Sequence, residues 1–306
     1  YIVPNKLISA DYTEALRQLI LSYKVCELRD YSNVDVFEQA DVYPVVFRFE
    51  KSNSRNPVNM AVMKSKTDID WENIVSENKF YNDIYWDRYF VRESDGISII
   101  DKMLTHDKLG DVAVVKGAAT VNEAYQIKEI LAEYNDDITA EYRKFINTGT
   151  IDRYQSLWGK YSTKYIKNSY IKPIVFLKDL ASISATRLSE AKSEKIIIGG
   201  MTKVLECYYD KGDFLAGKST VIIMRKKESL KYIIALLNSK LITYFYKVYF
   251  NSLSLAGGYL RIGPPQIKEI PIANTDEVTK NELIRIVDKI ISLLNEGKPE
   301  LKNEIY

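Results

Sequence analysis

At 306 residues, with 46% hydrophobic and 27% charged residues, the chain has the balance of a soluble globular protein with one large or two ordinary domains, which excludes a disordered or fibrous chain. No apolar run approaches the ~18–20 residues of a membrane span and no charged-then-apolar leader is present, which together imply a cytoplasmic protein. The net charge is only +2, yet residues 143–268 hold 22 Lys and Arg against 8 Asp and Glu, so a strongly basic middle lies between acidic ends. Interleaved with Tyr, Trp, Asn and Thr, that surplus is the electrostatic footprint of a surface that meets a polyanion; a solvated basic face without a partner is the alternative. Cys26, Cys207 and the single His106 are scattered, which supports neither a disulfide framework nor a zinc site.

Residues 1–51 alternate strand and helix signals. Ile2 and Val3 read as strand, and an opening inside a strand at Tyr1 without an initiator Met is what an excised piece of a longer protein would show. Asp11 with Glu14 suggests a capped helix carrying Leu16, Leu19 and Ile20 as its apolar stripe. Residues 25–28 then read as a short strand and 43–49 as a longer one rich in Val and Phe, giving a β-α-β-β order expected of the closing part of a mostly parallel α/β sheet with a final hairpin.

The run YIVPNKLISADYTEALRQLI followed by VDVFEQADVYPVVFRFEK resembles the distal half of a gamma-class DNA adenine methyltransferase, from just after its catalytic motif to the last strand of its sheet. The resemblance implies that Phe37, in the Val-Phe pair before the last strand, packs on an adenine extruded from the duplex, restoring part of the lost stacking; a loop residue folded onto the sheet edge is the other reading. It implies S-adenosylmethionine as cofactor of the parent enzyme. No Asn-Pro-Pro-Tyr or Asp-Pro-Pro-Tyr occurs here, and no Gly-rich loop suited to that cofactor follows a strand, so this chain alone is expected to hold no cofactor and to lack catalysis.

Residues 66–108 are acidic and aromatic, with Trp71, Phe80, Tyr81, Tyr85, Trp86, Tyr89 and Phe90 at poor periodicity, and read as a connector with one or two short helices. From 109 onward a strand with a Gly-containing bend and a polar turn leads into loops crowded with aromatics and bases. Asn147-Thr148-Gly149 is a turn signal, with Arg153 and Tyr154 just beyond it. Lys195 opens a buried-strand run of three Ile residues that ends in Gly199-Gly200, where Thr202 and Lys203 could donate to a phosphate. Gly217-Lys218-Ser219-Thr220 has Walker spacing from Gly212 but leads into the strand-like Val221-Ile222-Ile223, whereas a phosphate loop must open a helix, so nucleotide hydrolysis is not expected.

Ser229 caps an amphipathic helix with Leu230, Ile233, Ile234, Leu237, Leu241, Phe245 and Val248 on one face, and Asn238-Ser239 sits in its middle. A Gly/Pro-punctuated loop and a short strand follow. Leu-Asn-Ser-Lys within a helix, then a Gly-rich loop and Lys-Glu-Ile-Pro-Ile, resemble the C-terminal specificity domain of TaqI-like adenine methyltransferases and type IIG restriction-modification enzymes, over about residues 110–272. A last helix from Asp276, with Thr279 and Glu282 as a capping box and Gly297 as its stop, should pack on that domain.

The reading is therefore mixed α/β: residues 1–65 the remnant of a methyltransferase sheet, 66–108 a connector, 109–272 an α+β target-recognition domain and 273–306 its terminal helix. The expected partner is duplex DNA, alongside the rest of a methyltransferase and, in some such enzymes, a nuclease, in a restriction-modification or phage-defence polypeptide. A stand-alone specificity subunit is the alternative. Lys116, Lys195, Lys203 and Lys218 stand as phosphate contacts, and Arg153 and Arg261 as guanine readers through bidentate bonds. Asn147 is of the type that pairs with adenine; for each of these residues an ion-paired or turn role is the competing reading.

Overall fold

Val25, Leu28, Val45, Phe47, Val58 and Met60 bury their side chains against one face of a five-stranded sheet, as strand-length runs of Val and Phe require. The computed structural model describes residues 1–8, 10–37, 42–91, 97–255 and 258–297. The chain forms two compact units, Tyr1–Lys102 with Phe245–Ser254, and Met103–Tyr244 with Leu255–Tyr306. In the first, the strands β1 (Ile2–Pro4), β2 (Lys24–Asp30), β3 (Pro44–Glu50), β4 (Val58–Met63) and β5 (Ile69–Val75) line up in the order β1-β3-β2-β4-β5. Only β2 and β4 run parallel; β2 and β3 pair antiparallel as the expected final hairpin requires, while the antiparallel pairings of β1 with β3 and of β4 with β5 correct the mostly parallel sheet to a mixed one.

Two further expectations for this unit change. The helix Glu14–Ile20 is preceded by Thr13, whose hydroxyl makes no cap bond; it donates to the Ala10 carbonyl at 2.7 Å and accepts from the buried Arg17 guanidinium at 2.7 Å. Leu16 and Leu19 are exposed, and Ile20 alone of the three enters the core. Residues 66–102 are not a connector, because β5 extends the sheet and Phe80, Tyr81, Trp86, Tyr89 and Phe90 belong to the same core. Phe80 stacks on Trp86 at 4.9 Å, and the Trp86 indole N–H donates to the Asp83 carbonyl at 2.9 Å, satisfying its one polar atom.

The second unit contains two four-stranded sheets. One orders the strands Phe214–Ala216, Tyr142–Ile146, Pro173–Phe176 and Leu131–Glu133; the other orders Cys207–Asp210, Lys195–Gly199, Thr220–Arg225 and Ala113–Gly117. Ile146, Phe214 and Ala216 from the first meet Ile197 and Ile222 from the second in one core. Where a polar turn was expected, residues Val121–Ile130 form a helix, capped by Thr120, whose Oγ1 accepts the Glu123 N–H at 3.2 Å while Glu123 accepts the Thr120 N–H at 2.8 Å. The reciprocal Thr-x-x-Glu box is the signal that the Gly and Ala residues before it obscure.

The helix expected to run on from Ser229 is two helices, Leu230–Leu237 and Lys240–Tyr249. The break has a cause: the fully buried Asn238 donates from Nδ2 to the Cys207 carbonyl and accepts the Cys207 N–H at Oδ1, both at 3.0 Å, filling the edge of the strand Cys207–Asp210. Ser239 then accepts the Ile242 N–H at 3.1 Å and caps the second helix. The terminal helix Glu277–Asn295 is capped by Asp276, which accepts the Thr279 N–H at 2.9 Å, rather than by a Thr279–Glu282 box. It packs on Leu230–Leu237 with ion pairs Lys231–Asp288 at 2.5 Å and Lys280–Glu228 at 2.9 Å. Among the described residues, no helix is long and apolar enough to cross a membrane.

Burial alone would raise the Glu123 carboxyl, but the Thr120 N–H and the Arg187 guanidinium at 3.1 Å outweigh it and hold the group at about 2, below its ordinary 4.5. A depressed folded-state value means the stabilisation is present above the unfolded-state value and lost as pH falls toward the folded one. Glu123→Gln is expected to lower stability at neutral pH by about 1.5–3 kcal/mol, the range for hydrogen bonds to a charged group. Urea titrations of the two proteins should converge as pH drops from about 4.5 to about 2; a difference that stays constant over that window would refute the assignment.

Candidate nucleic-acid interface

Three turns of the second unit close on one backbone atom, the carbonyl oxygen of Ser219. The Gly200 N–H donates to it at 2.9 Å, the Thr148 hydroxyl also donates to it, and the Gly200 N–H lies 3.0 Å from Thr148 Oγ1. A Cβ at Gly200 would fall 2.4 Å from the Ser219 oxygen, so only glycine fits. Gly217 is held as tightly, because a Cβ there would meet Asn147 Oδ1 at 2.7 Å and Phe145 at 2.8 Å. The two glycine signals in the sequence thus serve packing of loop on loop. The Gly199-Gly200 approach is filled by protein backbone, which does not fit it to cradle S-adenosylmethionine.

A short antiparallel ribbon extends this rim. Met201–Thr202 pairs with Tyr259–Arg261, and the Ile262 N–H donates to the Gly200 carbonyl at 3.0 Å. The exposed Lys203 follows the first strand and the exposed Arg261 ends the second, with the Lys203 ammonium 5.3 Å from the centre of the Tyr259 ring, and the exposed Lys218 sits on the turn beside Ser219.

A second element joins the rim that the sequence does not announce. Thr163–Tyr165 and Asn168–Tyr170 form a hairpin whose two-residue turn places Ile166 at φ 41° and Lys167 at φ 69°. A β-branched residue in that region is strained, and the turn lacks the Asn-Gly or Asp-Gly signature that makes such hairpins readable. Asn147 Nδ2 donates to the Lys164 carbonyl at 3.2 Å, and the Thr163 and Thr150 hydroxyls are 3.4 Å apart, so the hairpin is fastened to the 147–150 turn. Lys164, Lys167 and Asn168 are exposed on it.

Of the residues singled out from sequence, the structure brings Lys203, Lys218 and Arg261 together with exposed side chains. It removes others. Lys195 is 1% exposed and paired with the fully buried Asp210, and burial pushes its ammonium below the ordinary lysine range; it cannot reach a phosphate. Lys116 bridges to Glu190, which also binds Arg187 at 2.5 Å, so it is part of an internal network. Thr202 is buried and its hydroxyl donates to the Val204 carbonyl. Asn147 is buried and shapes its own turn, in which Gly149 takes φ 97°. Arg153 does not swing on a loop: its Nε donates to the Leu205 carbonyl at 3.2 Å and its terminal nitrogen to Thr243 Oγ1 at 3.3 Å, while Asp152 accepts its backbone N–H at 2.7 Å. Tyr154 is buried beside it, its phenol raised to about 12 by burial. In the first unit Phe37 lies beyond β2 and is 46% exposed, and residues 38–41 after it lie outside the described residues.

Residues 143–272 match the family model of the TaqI-like C-terminal specificity domain. Among solved structures the chain is similar to the type IIL restriction-modification enzyme MmeI, whose structure is of a complex with DNA, at a TM-score of 0.52 and 10% identity, covering 96% of this chain and 42% of MmeI. It is also similar to the type IIG restriction endonuclease BpuSI, at a TM-score of 0.43 and 10% identity, covering 94% of this chain and 41% of BpuSI. The chain therefore spans about two-fifths of the length of either protein. No curated protein matches it. The likeness to MmeI is one of fold.

Two substitutions separate the scaffold from the surface. Asp210→Ala strands the buried Lys195 ammonium and should cost about 3–5 kcal/mol in urea unfolding. Lys195→Met with Asp210→Asn, which keeps an acceptor for the Asp213 and Phe214 N–H groups that lie 2.9 and 3.3 Å from the Asp210 carboxylate, should restore part of that loss. Equal stability of the single and double variants would show that the pair is not sealed from water.

Proposed function

We propose that this chain, in which residues 143–272 carry a TaqI-like C-terminal specificity domain, reads a specific site in duplex DNA for a restriction-modification polypeptide that methylates adenine. The observation that carries the reading is the rim around Ser219, where Lys203, Lys218 and Arg261 share one surface with the Lys164–Lys167 hairpin tip. A two-stranded hairpin such as 163–170 fits the major groove of B-DNA, and cations beside it neutralise flanking phosphates. Lys203, Lys218, Lys164 and Lys167 are assigned to phosphates. Arg261 is assigned to a base edge, because its planar fork can bond two guanine acceptors at once, and Tyr259 to stacking or sugar contact.

Phe37 is proposed to receive the extruded adenine, with S-adenosylmethionine and the transferring residues supplied by parts of the polypeptide that this sequence does not contain. Methyl transfer by a polypeptide carrying Phe37→Ala should fall while duplex affinity holds. Unchanged turnover would remove Phe37 from the pocket.

Duplex binding should weaken as salt rises, since each phosphate contact releases counterions and adds about 0.9 to the slope of log K against log salt. Lys203→Gln, Lys218→Gln and Lys167→Gln should each lower that slope by about 0.9, measured by anisotropy of a labelled duplex. Arg261→Gln should relax sequence preference at one position by about 1–3 kcal/mol. A chain that binds duplex no better than an acidic control protein at low salt, or rim variants with an unaltered slope, would overturn the reading.

A further inference from the structure

A cleft of about 480 Å3 opens in the second unit at the end of the sheets away from the Ser219 rim. The strands Tyr142–Ile146 and Lys195–Gly199 both run toward the rim, since Lys144, midway along the first, pairs with Phe214 and Lys195, at the start of the second, pairs with Asp210, while Asn147 and Gly200 follow their ends. The volume lies in the ~300–1,000 Å3 range of small-molecule sites.

Its lining combines rings and cations. The half-buried Lys144 ammonium stands 5.0 Å from the centre of the Trp158 ring and 5.6 Å from that of Phe214, and no carboxylate among the described residues pairs with it. Trp158 is fixed by its indole N–H, which donates to the Pro173 carbonyl at 2.8 Å, and Tyr208 meets Phe214 edge-on at 5.6 Å. Lys160 and Lys211 are exposed at the mouth, again without an ion-pair partner among the described residues, and Asp213 is the one carboxylate of the lining. Ring faces offset part of the cost of a half-desolvated ammonium, and an anion would offset the rest.

We propose that this cleft binds a phosphorylated nucleoside, its base against the Trp158 and Tyr208 rings and its phosphate held by Lys144 with Lys160 and Lys211. The lining supplies one aromatic shelf and one group of ammoniums, which matches a single nucleotide rather than a run of duplex phosphates. The site stands apart from the duplex-reading rim and does not depend on it.

Calorimetric titration of the whole chain with adenosine 5′-monophosphate tests the assignment, with inorganic phosphate and adenosine as separate titrants. Saturable one-to-one binding of the nucleotide is expected, with each half binding at least about tenfold more weakly, since either set of contacts alone forfeits the other. Lys144→Gln should weaken binding by about tenfold with an unchanged urea midpoint, the size of one charge-assisted contact. Should that variant fold poorly, Lys160→Gln with Lys211→Gln at the mouth must show the loss instead. The rim variant Lys203→Gln should bind the nucleotide normally. The assignment is overturned by no saturation at millimolar nucleotide, by wild-type affinity in the cleft variants, or by displacement of the nucleotide by a short DNA duplex, which would make the cleft part of the duplex surface.

Discussion

The Ser219 carbonyl oxygen is the fixed point on which the second unit's surface depends. Its two donors, the Gly200 N–H and the Thr148 hydroxyl, come from turns far apart in sequence, and the Gly200 N–H also reaches the Thr148 hydroxyl, so the three groups close a triangle. Each turn is short and individually has few ways to hold its shape. Joined at one atom, they cannot move independently without leaving a backbone polar group unsatisfied. The cations on these turns are therefore spaced before any partner arrives. Preorganisation of this kind lowers the ordering cost that a binding surface otherwise meets.

The same economy appears at Asn238. A side chain that interrupts a helix is unfavourable in isolation, yet here its carboxamide matches the donor and acceptor of Cys207 on a strand edge where the Tyr154 N–H also donates to the Cys207 carbonyl at 2.9 Å. The interruption and the edge contact are one feature, and it ties the helix pair to the sheet at the end that leads to Gly200, since Cys207 pairs with Ile198. Loss of the Asn238 bonds would be felt at the rim through the strand Lys195–Gly199.

What could be read from sequence divides along physical lines. Strands such as Lys195–Gly199 and Thr220–Arg225 were legible because burial on both faces over most of their length leaves a continuous apolar signal, and Pro44–Glu50 because its Val and Phe residues are strand formers. Sheet direction was not, since β1 and β3 pair antiparallel through contacts that local pattern does not encode. The aromatics of 80–90 were legible as packing residues but not as members of the first core, because poor periodicity hides which side they face. Among site residues, Lys203, Lys218 and Arg261 stand where turn signals put them. Arg153 and Lys195 mislead, since the acceptors that hold them, the Leu205 carbonyl and Asp210, are distant in sequence. The 163–170 hairpin was hidden because Ile166-Lys167 adopts a turn that its residue types disfavour.

Segregated charge located this domain, but its total overstates some positions and understates others. Of the eight carboxylates within 143–268, Glu190 is taken up by Arg187 and Lys116, Asp210 by Lys195, and Glu228 by Lys280. Those cations exert little field outside, because their charge is cancelled within a few ångströms. The same pairings remove the carboxylates that could have neutralised the rim. At physiological salt the screening length is about 8 Å, so a phosphate responds to the cations beside it and hardly to the sum over the domain. Lys203, Lys218 and the hairpin lysines, none of which has a carboxylate partner among the described residues, therefore leave the field at the rim uncancelled, as Lys144, Lys160 and Lys211 do at the cleft. A surplus counted along the chain finds the domain; only the pairing of each charge finds the surface.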